Sequence, residues 1–203
     1  MTRNILILYY SANGATTMLA KSIARGVNSV DGANAVLRTV PRVQTTTEQT
    51  EPHIPTQGAP YCTPEDLTDC SGLILGSPTR FGNMAAPLKY FWDTTATQWL
   101  NGSLINKPAG VFTSSSSMHG GQESTLLSMM LPLLHHGMII TGIPYSEESI
   151  HHTTSGGGPY GASHVYNTHS ATANHQDQLT SDEMSSCHAL GKRIANLSLQ
   201  LQH

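Results

Sequence analysis

Residues 5–10 read Ile-Leu-Ile-Leu-Tyr-Tyr and then break into Ser11-Ala12-Asn13-Gly14. A strand that is apolar at every position has no face to give to water, so it belongs inside a parallel sheet with helices on both sides. The pattern predicts a buried strand over Asn4–Tyr10. Behind the break, Met18, Leu19, Ile23, Ala24 and Val27 fall at helical spacing, which predicts a helix over Thr16–Val30 that stops at Asp31-Gly32. Ala33–Val40 alternates weakly and reads as a second strand. Strand, loop, helix, strand is the repeating unit of a parallel sheet.

The same alternation continues to the end of the chain. Pro41–Pro60 is polar and lies outside any core. Thr63-Pro-Glu-Asp-Leu67 carries an N-cap, a proline at the first helical position and acids in the first turn, so a short helix starts there. Gly72–Gly76 is the third strand, Ala109–Thr113 the fourth and Met138–Thr141 the fifth. Between them, helices are expected over Ala85–Leu100, with Tyr90 and Trp92 as core residues, and over Gln122–His136, kinked at Pro132. Gly142–Gln176 reads as one long loop, and a loop of that length calls for a site or an interface. Thr180–Leu201 is a last helix with Leu190, Ile194 and Leu197 on one face. The 203 residues suit a single α/β domain, a doubly wound five-stranded parallel sheet of order 2-1-3-4-5 with helices on both faces.

Composition narrows the partners. Only 11% of residues are charged and the net charge is −3, without a basic run, so nucleic acid is excluded as a main partner. A surface so poor in charge is readily buried against copies of itself, which predicts a homo-oligomer. No apolar run is long enough for a bilayer, and the chain enters its first strand too early to leave room for a signal peptide; a cytoplasmic protein is expected. Cys62, Cys70 and Cys187 are odd in number and read as reduced, buried thiols. The 11 histidines show no metal-ligand spacing, so no metal is expected; His151, His152, His164, His169 and His175 are placed on solvated loops.

In a doubly wound sheet the ligand sits beyond the carboxyl ends of the strands, and three loops fall there. Ser11–Thr17 combines small residues, Gly14 and three hydroxyls at a helix start, a place that favours an anion. No lysine follows the glycine and no G-x-G-x-x-G is present, so neither a triphosphate nor a dinucleotide loop is indicated. A phosphate monoester held by neutral donors remains, and FMN fits; the same residues also suit an ordinary capped helix start. Gly76-Ser-Pro-Thr-Arg-Phe-Gly-Asn83 has a proline and a glycine that make a rigid turn, able to aim backbone amides at a flat ring or to serve only as a turn. Ser114–Gly121 is the third loop.

Leu8-Tyr-Tyr-Ser11, Gly76-Ser-Pro-Thr-Arg-Phe-Gly-Asn-Met84, His119-Gly-Gly-Gln-Glu123, Leu134-His-His-Gly-Met138 and Pro159-Tyr-Gly-Ala-Ser163 together resemble the WrbA-type NAD(P)H:quinone oxidoreductases, in the same order over nearly the whole chain. The resemblance implies a flavodoxin-like fold, non-covalent FMN, a homotetramer, and two-electron reduction of quinones by NADH or NADPH, with hydride passing through flavin N5 in a ping-pong cycle. It implies that Ser11, Ala12, Asn13, Gly14, Ala15 and Thr16 cradle the ribityl phosphate. Pro78, Thr79, Arg80, Phe81, Gly82 and Asn83 hold one side of the ring system; Ser114, Ser115, Ser116, Ser117, Met118, His119, Gly120 and Gly121 hold the other. His135 contacts the flavin from the end of its helix as the catalytic residue. Phe81 and Trp99, with Tyr145 from a neighbouring subunit, form an aromatic slot over the exposed flavin face, and Asn13 joins them in binding substrate.

Two departures from the family pattern stand out. Asn13 replaces an aromatic residue that stacks on the dinucleotide in many members, and the third loop is one residue longer and poorer in glycine than the commoner form. Other readings of such a chain are a one-electron carrier flavodoxin, a flavin-dependent azo or nitro reductase, and a module that only binds another protein. The carrier is disfavoured by the weak net charge of −3, because carriers use strong acidity to steer to basic partners.

Overall fold

A computed structural model describes residues 2–44, 55, 57–166 and 178–201. His169 and His175, and most of the polar stretch after Gln44, lie outside the described residues. The elements in chain order are β1 (Arg3–Tyr9), α1 (Ala15–Asn28), β2 (Ala33–Thr39), α2 (Pro64–Asp69), β3 (Gly72–Pro78), α3 (Ala86–Asp93), α4 (Ala96–Leu100), β4 (Pro108–Ser115), α5 (Gln122–His135), β5 (Ile139–Ile140), α6 (Ser149–His152), β6 (Ala162–Val165) and α7 (Ser181–Gln200).

The sheet has the order β2-β1-β3-β4-β5, every pairing parallel, with β6 also on β4. Successive side chains of a strand point to opposite faces, so one apolar strand feeds two cores. Leu6 and Leu8 join Leu73, Leu75 and Val111 in a core closed by Leu88 and Trp92 of α3 and by Leu126, Met129 and Leu133 of α5. Ile5, Ile7 and Tyr9 join Ile74 and Phe112 in the opposite core, closed by Leu19 and Ile23 of α1 and by Leu190 and Ile194 of α7. Gly76 stands opposite Phe112 in register, and the Phe112 ring fills the space that a side chain on Gly76 would need.

The structure departs from the sequence expectations in several places. The helix expected over 85–100 is two helices. The hydroxyls of Thr94 and Thr95 donate to the carbonyls of Phe91 and Trp92 (2.7 and 2.8 Å), competing with the helical ladder at the break. Trp92 is buried as expected, but Tyr90 is 64% exposed. The fifth strand is split: β5 keeps two residues beside the start of β4, and β6 returns 22 residues later to pair with residues 112–115. The expected long loop therefore contains a strand and the short helix α6. The three cysteines are free thiols, and burial pushes Cys70 up to about 11 and also raises Cys62 and Cys187.

His164, expected in a solvated loop, is buried on β6, and the reason lies in α7. A capping box of Thr180 and Glu183 opens that helix and leaves the Glu183 carboxylate in the interior. It accepts from Ser155 Oγ (2.7 Å), Gly156 N (2.9 Å), His164 Nδ1 (2.8 Å), Thr180 N (2.9 Å) and Val165 N (3.3 Å). Burial works to raise the Glu183 pKa, but the hydrogen bonds from His164 and Ser155 and the field of His164 outweigh it and hold the carboxyl down at about 2.

Because the folded pKa is depressed, this stabilisation is complete above the unfolded carboxyl value, ~4.3, and drains away as the pH falls toward 2. Glu183→Gln is expected to lower the thermal unfolding midpoint by several degrees at pH 7. It should also flatten the loss of stability between pH 5 and pH 3 relative to the native chain, measured by circular dichroism.

Candidate functional site

Parallel strands end on one edge of the sheet, so β1, β3, β4 and β6 deliver four segments to the same place. There they enclose a cleft of about 110 Å³. Ser11, Ala12, Asn13, Ala15 and Thr16 come from the β1–α1 turn, Pro78, Thr79 and Arg80 from the end of β3, Ser114, Ser115 and Ser116 from β4, and Tyr166 from β6.

The floor is the start of α1. Gly14 is its N-cap at φ +93°, a left-handed conformation that costs a side-chain-bearing residue energy, and no side chain caps the helix. Ser11 Oγ accepts from Gly14 N (3.1 Å), closing the turn, and a Cβ on Gly14 would meet no atom within 4 Å. Thr16 and Ser114 share a buried hydroxyl–hydroxyl bond of 3.1 Å, which joins the helix to β4. The first turn of α1 holds no acid. First-turn amides, hydroxyls and the positive end of the helix dipole face one open space, with Arg80 at its rim. That donor set fits the phosphate of FMN and offers nothing that would repel it.

The second loop is a tight turn. Arg80 and Asn83 exchange backbone hydrogen bonds (2.8 and 3.0 Å) around Phe81 and Gly82, both at positive φ (52° and 76°). Thr79 N donates to Ser114 O (2.8 Å), and the Thr79 and Thr125 hydroxyls bond at 2.7 Å, so the turn is tied to β4 and to the first turns of α5. Phe81 is fully exposed. An apolar ring on a strained backbone, uncovered by the described residues, is placed to receive a flat ligand.

The third loop is shorter than expected, because β4 takes up Ser114 and Ser115. The Ser117 carbonyl accepts from Gly120 N, Gln122 Nε2 and Ser115 Oγ (3.1, 3.1 and 2.9 Å) and folds the rest back on itself. Ser117, Met118, His119, Gly120 and Gly121 lie outside the cleft lining, with Met118 and His119 exposed and His119 at φ +54°.

Three further expected site residues, Trp99, His135 and Tyr145, do not line the cleft of their own chain. Helix α5 starts at the ligand edge and runs against the strand direction, so its 14 residues carry His135 roughly 21 Å away, to the opposite edge. There Trp99 Nε1 donates to His135 O (2.9 Å), and the two line a separate apolar hollow of about 440 Å³ with Trp92, Leu131 and Pro132. Tyr145 is exposed, its ring 5.3 Å from that of His151. The expectation that His135 reaches the flavin from its helix end thus fails within one chain. The known antiparallel course of a crossover helix was the available signal. Tyr166 is the cleft residue that the sequence did not reveal, since it rides on a strand that carries no clear pattern.

Known proteins resemble this chain in sequence and in fold. The family model described as NADPH-dependent FMN reductase matches residues 3–148. An NAD(P)H dehydrogenase (quinone) of Solidesulfovibrio magneticus is 38% identical over 98% of this chain and 99% of its own. One from Syntrophobacter fumaroxidans is 45% identical over 79% of this chain and 82% of its own. Among solved structures, the WrbA-like flavodoxin of Agrobacterium tumefaciens superposes with a TM-score of 0.64 at 20% identity, covering 99% of this chain and 100% of that one. Oxidised flavodoxin 1 of Bacillus cereus gives 0.58 at 13% identity, over 95% and 97%. At those identities the structural likeness is one of fold.

Gly14→Ala places a side chain in the left-handed region, a strain of roughly 1–2 kcal/mol at the floor of the cleft. It should weaken FMN by about tenfold. Riboflavin, which has no phosphate, should bind nearly as before; flavin fluorescence titration separates the two.

Proposed function

The chain belongs to the NADPH-dependent FMN reductase family, and from that membership and its cleft we propose that it is a WrbA-type NAD(P)H:quinone oxidoreductase with FMN as its cofactor. The observation that carries the reading is the uncapped start of α1, facing a hydroxyl-lined cleft beside a fully exposed aromatic ring. When bound, FMN accepts two electrons from NADH or NADPH and passes them to a quinone.

The chain's own part is placement. Ser11, Thr16 and the first-turn amides of α1 hold the phosphate. The Arg80–Asn83 turn would offer backbone donors to the ring edge of a bound flavin, and Phe81 would flank the face open to nicotinamide and quinone. The shared face makes the kinetics ping-pong. Among the described residues the cleft lining holds no carboxylate or histidine. Asn13, exposed at the mouth, leaves that side open where an aromatic would close it.

The proposed assembly is a homotetramer in the cytoplasm. Leu127, Leu131, Leu134 and Ile139 are exposed on and just after α5, with Tyr90, Trp99, Leu100 and Ile105 on the adjoining segments, and a patch of this kind is a contact surface. In that assembly Trp99, His135 and Tyr145 reach the flavin of a neighbouring copy, which reconciles their family roles with their distance from their own cleft.

The purified protein should oxidise NADH or NADPH with benzoquinone and give parallel double-reciprocal lines. His135→Ala should lower kcat with quinone by about tenfold, the worth of one hydrogen bond, without altering FMN affinity. Unchanged kinetics would remove His135 from the reaction.

A further inference from the structure

Tyr166 reaches the cleft by a route of its own. It follows β6, and its N–H donates to Ser115 O (2.7 Å), extending the ladder by one step. His164 stands opposite Ser114 in the parallel register, so the two side chains share a face of the sheet. That face carries α1, because Ser114 Oγ bonds Thr16 Oγ1. Tyr166, two residues beyond His164, rises from the same face toward the first turn of α1 and lines the cleft. Its ring stands edge-on to His164, with centroids 6.4 Å apart at 74°.

What fixes this ring is a buried polar pair. His164 is 3% exposed and donates from Nδ1 to Glu183 Oε2, while its Nε2 has no partner among the described residues. Glu183 also takes the backbone N–H of Val165 and of Gly156, so it grips β6 and the loop that leads into it. Apolar side chains would pack such a strand at least as favourably. A carboxylate with five fixed donors adds direction: β6 is held at one register and one height, and Tyr166 with it.

We propose that Tyr166 is a specificity-determining wall at the phosphate end of the cleft, held there by the buried Glu183–His164 pair, so that a terminal phosphate monoester is accepted and a flavin whose phosphate continues into a second nucleotide is turned away. The inference rests on the reading that this cleft holds a flavin phosphate. The phenol ring lines the cleft together with Ser11, Ala12, Asn13 and the first turn of α1, the end where a phosphate would lie, and a second nucleotide would have to pass it. Tyr166 is the cofactor-facing residue; His164 and Glu183 are positioning residues.

The test uses the full-length chain stripped of flavin and titrated with FMN, FAD and riboflavin. The native chain should prefer FMN to FAD by about 100-fold, and Tyr166→Ala should cut that preference at least about tenfold. Tyr166→Phe should keep it, since bulk and not the hydroxyl excludes the dinucleotide. His164→Gln and Glu183→Gln should lower the preference by about threefold while riboflavin affinity stays within about twofold. A purely structural role would weaken all three flavins together, and that result overturns the positioning role. His164→Gln stands in where Glu183→Gln does not fold. An unchanged preference in Tyr166→Ala overturns the wall and leaves the flavin reading intact. A native chain that binds no flavin overturns both.

Discussion

Strands β1, β3 and β4 are buried on both faces, and that requirement orders everything above them. A doubly buried strand needs helices on each side, helical crossovers force the strands to run parallel, and parallel strands end on one edge. At that edge the backbone ladder sets the spacing between β3 and β4, and one side-chain fit fills the face above it. The Phe112 ring occupies the place of a side chain on Gly76, two residues before β3 ends at Pro78 and in register with it. The next paired positions, Ser77 with Thr113 and Pro78 with Ser114, already belong to the cleft and its support. Core packing and site geometry are therefore the same construction read at two heights.

The cleft is built almost wholly from neutral groups. Its anion-holding power comes from the helix start, from amides that lack helical partners and from hydroxyls locked by their own bonds, such as Thr16 with Ser114. Neutral donors of this kind need no counter-charges nearby, which suits a chain with only 11% charged residues. They also make the site sensitive to shape. Moving the backbone of Gly14 or of the Phe81–Gly82 turn by a small angle redirects a donor that no flexible side chain can replace.

Much of this was legible in the residues because the signals are local. The apolar run of β1, the arrest at Ser11–Gly14, the proline and glycine of the second loop and the capping residues before α2 each announce themselves within a few positions. The misses are non-local. Strand β6 is four residues long in a stretch rich in Gly, Ser and His, and it exists because β4 offers an edge and Glu183 offers acceptors from 18 to 28 residues away in the chain. With β6 went His164 and Tyr166. The break at Thr94-Thr95 arises from hydroxyls bonding back to carbonyls, which composition alone does not reveal. For His135 the resemblance names a role and not which copy it serves, and the direction of α5 carries it away from the cleft of its own chain.

The two ends of α5 divide the labour of the chain. Its first turns brace the loop that presents Phe81, through Thr125 and Ser124, and its last turn gathers Trp99 and His135 around an apolar hollow that faces outward. A lone copy therefore has a flavin cradle with an uncovered ring at one edge and an uncovered aromatic surface at the other. Each is a surface that water covers poorly. In the proposed tetramer one deficiency answers the other, and the low surface charge that marks the sequence becomes intelligible: charges along α5 would have to be stripped of water when the copies meet, at a cost that few interfaces recover. Quinone reduction would then be a property of the assembly, with the cradle supplied by one chain and its aromatic cover by the next.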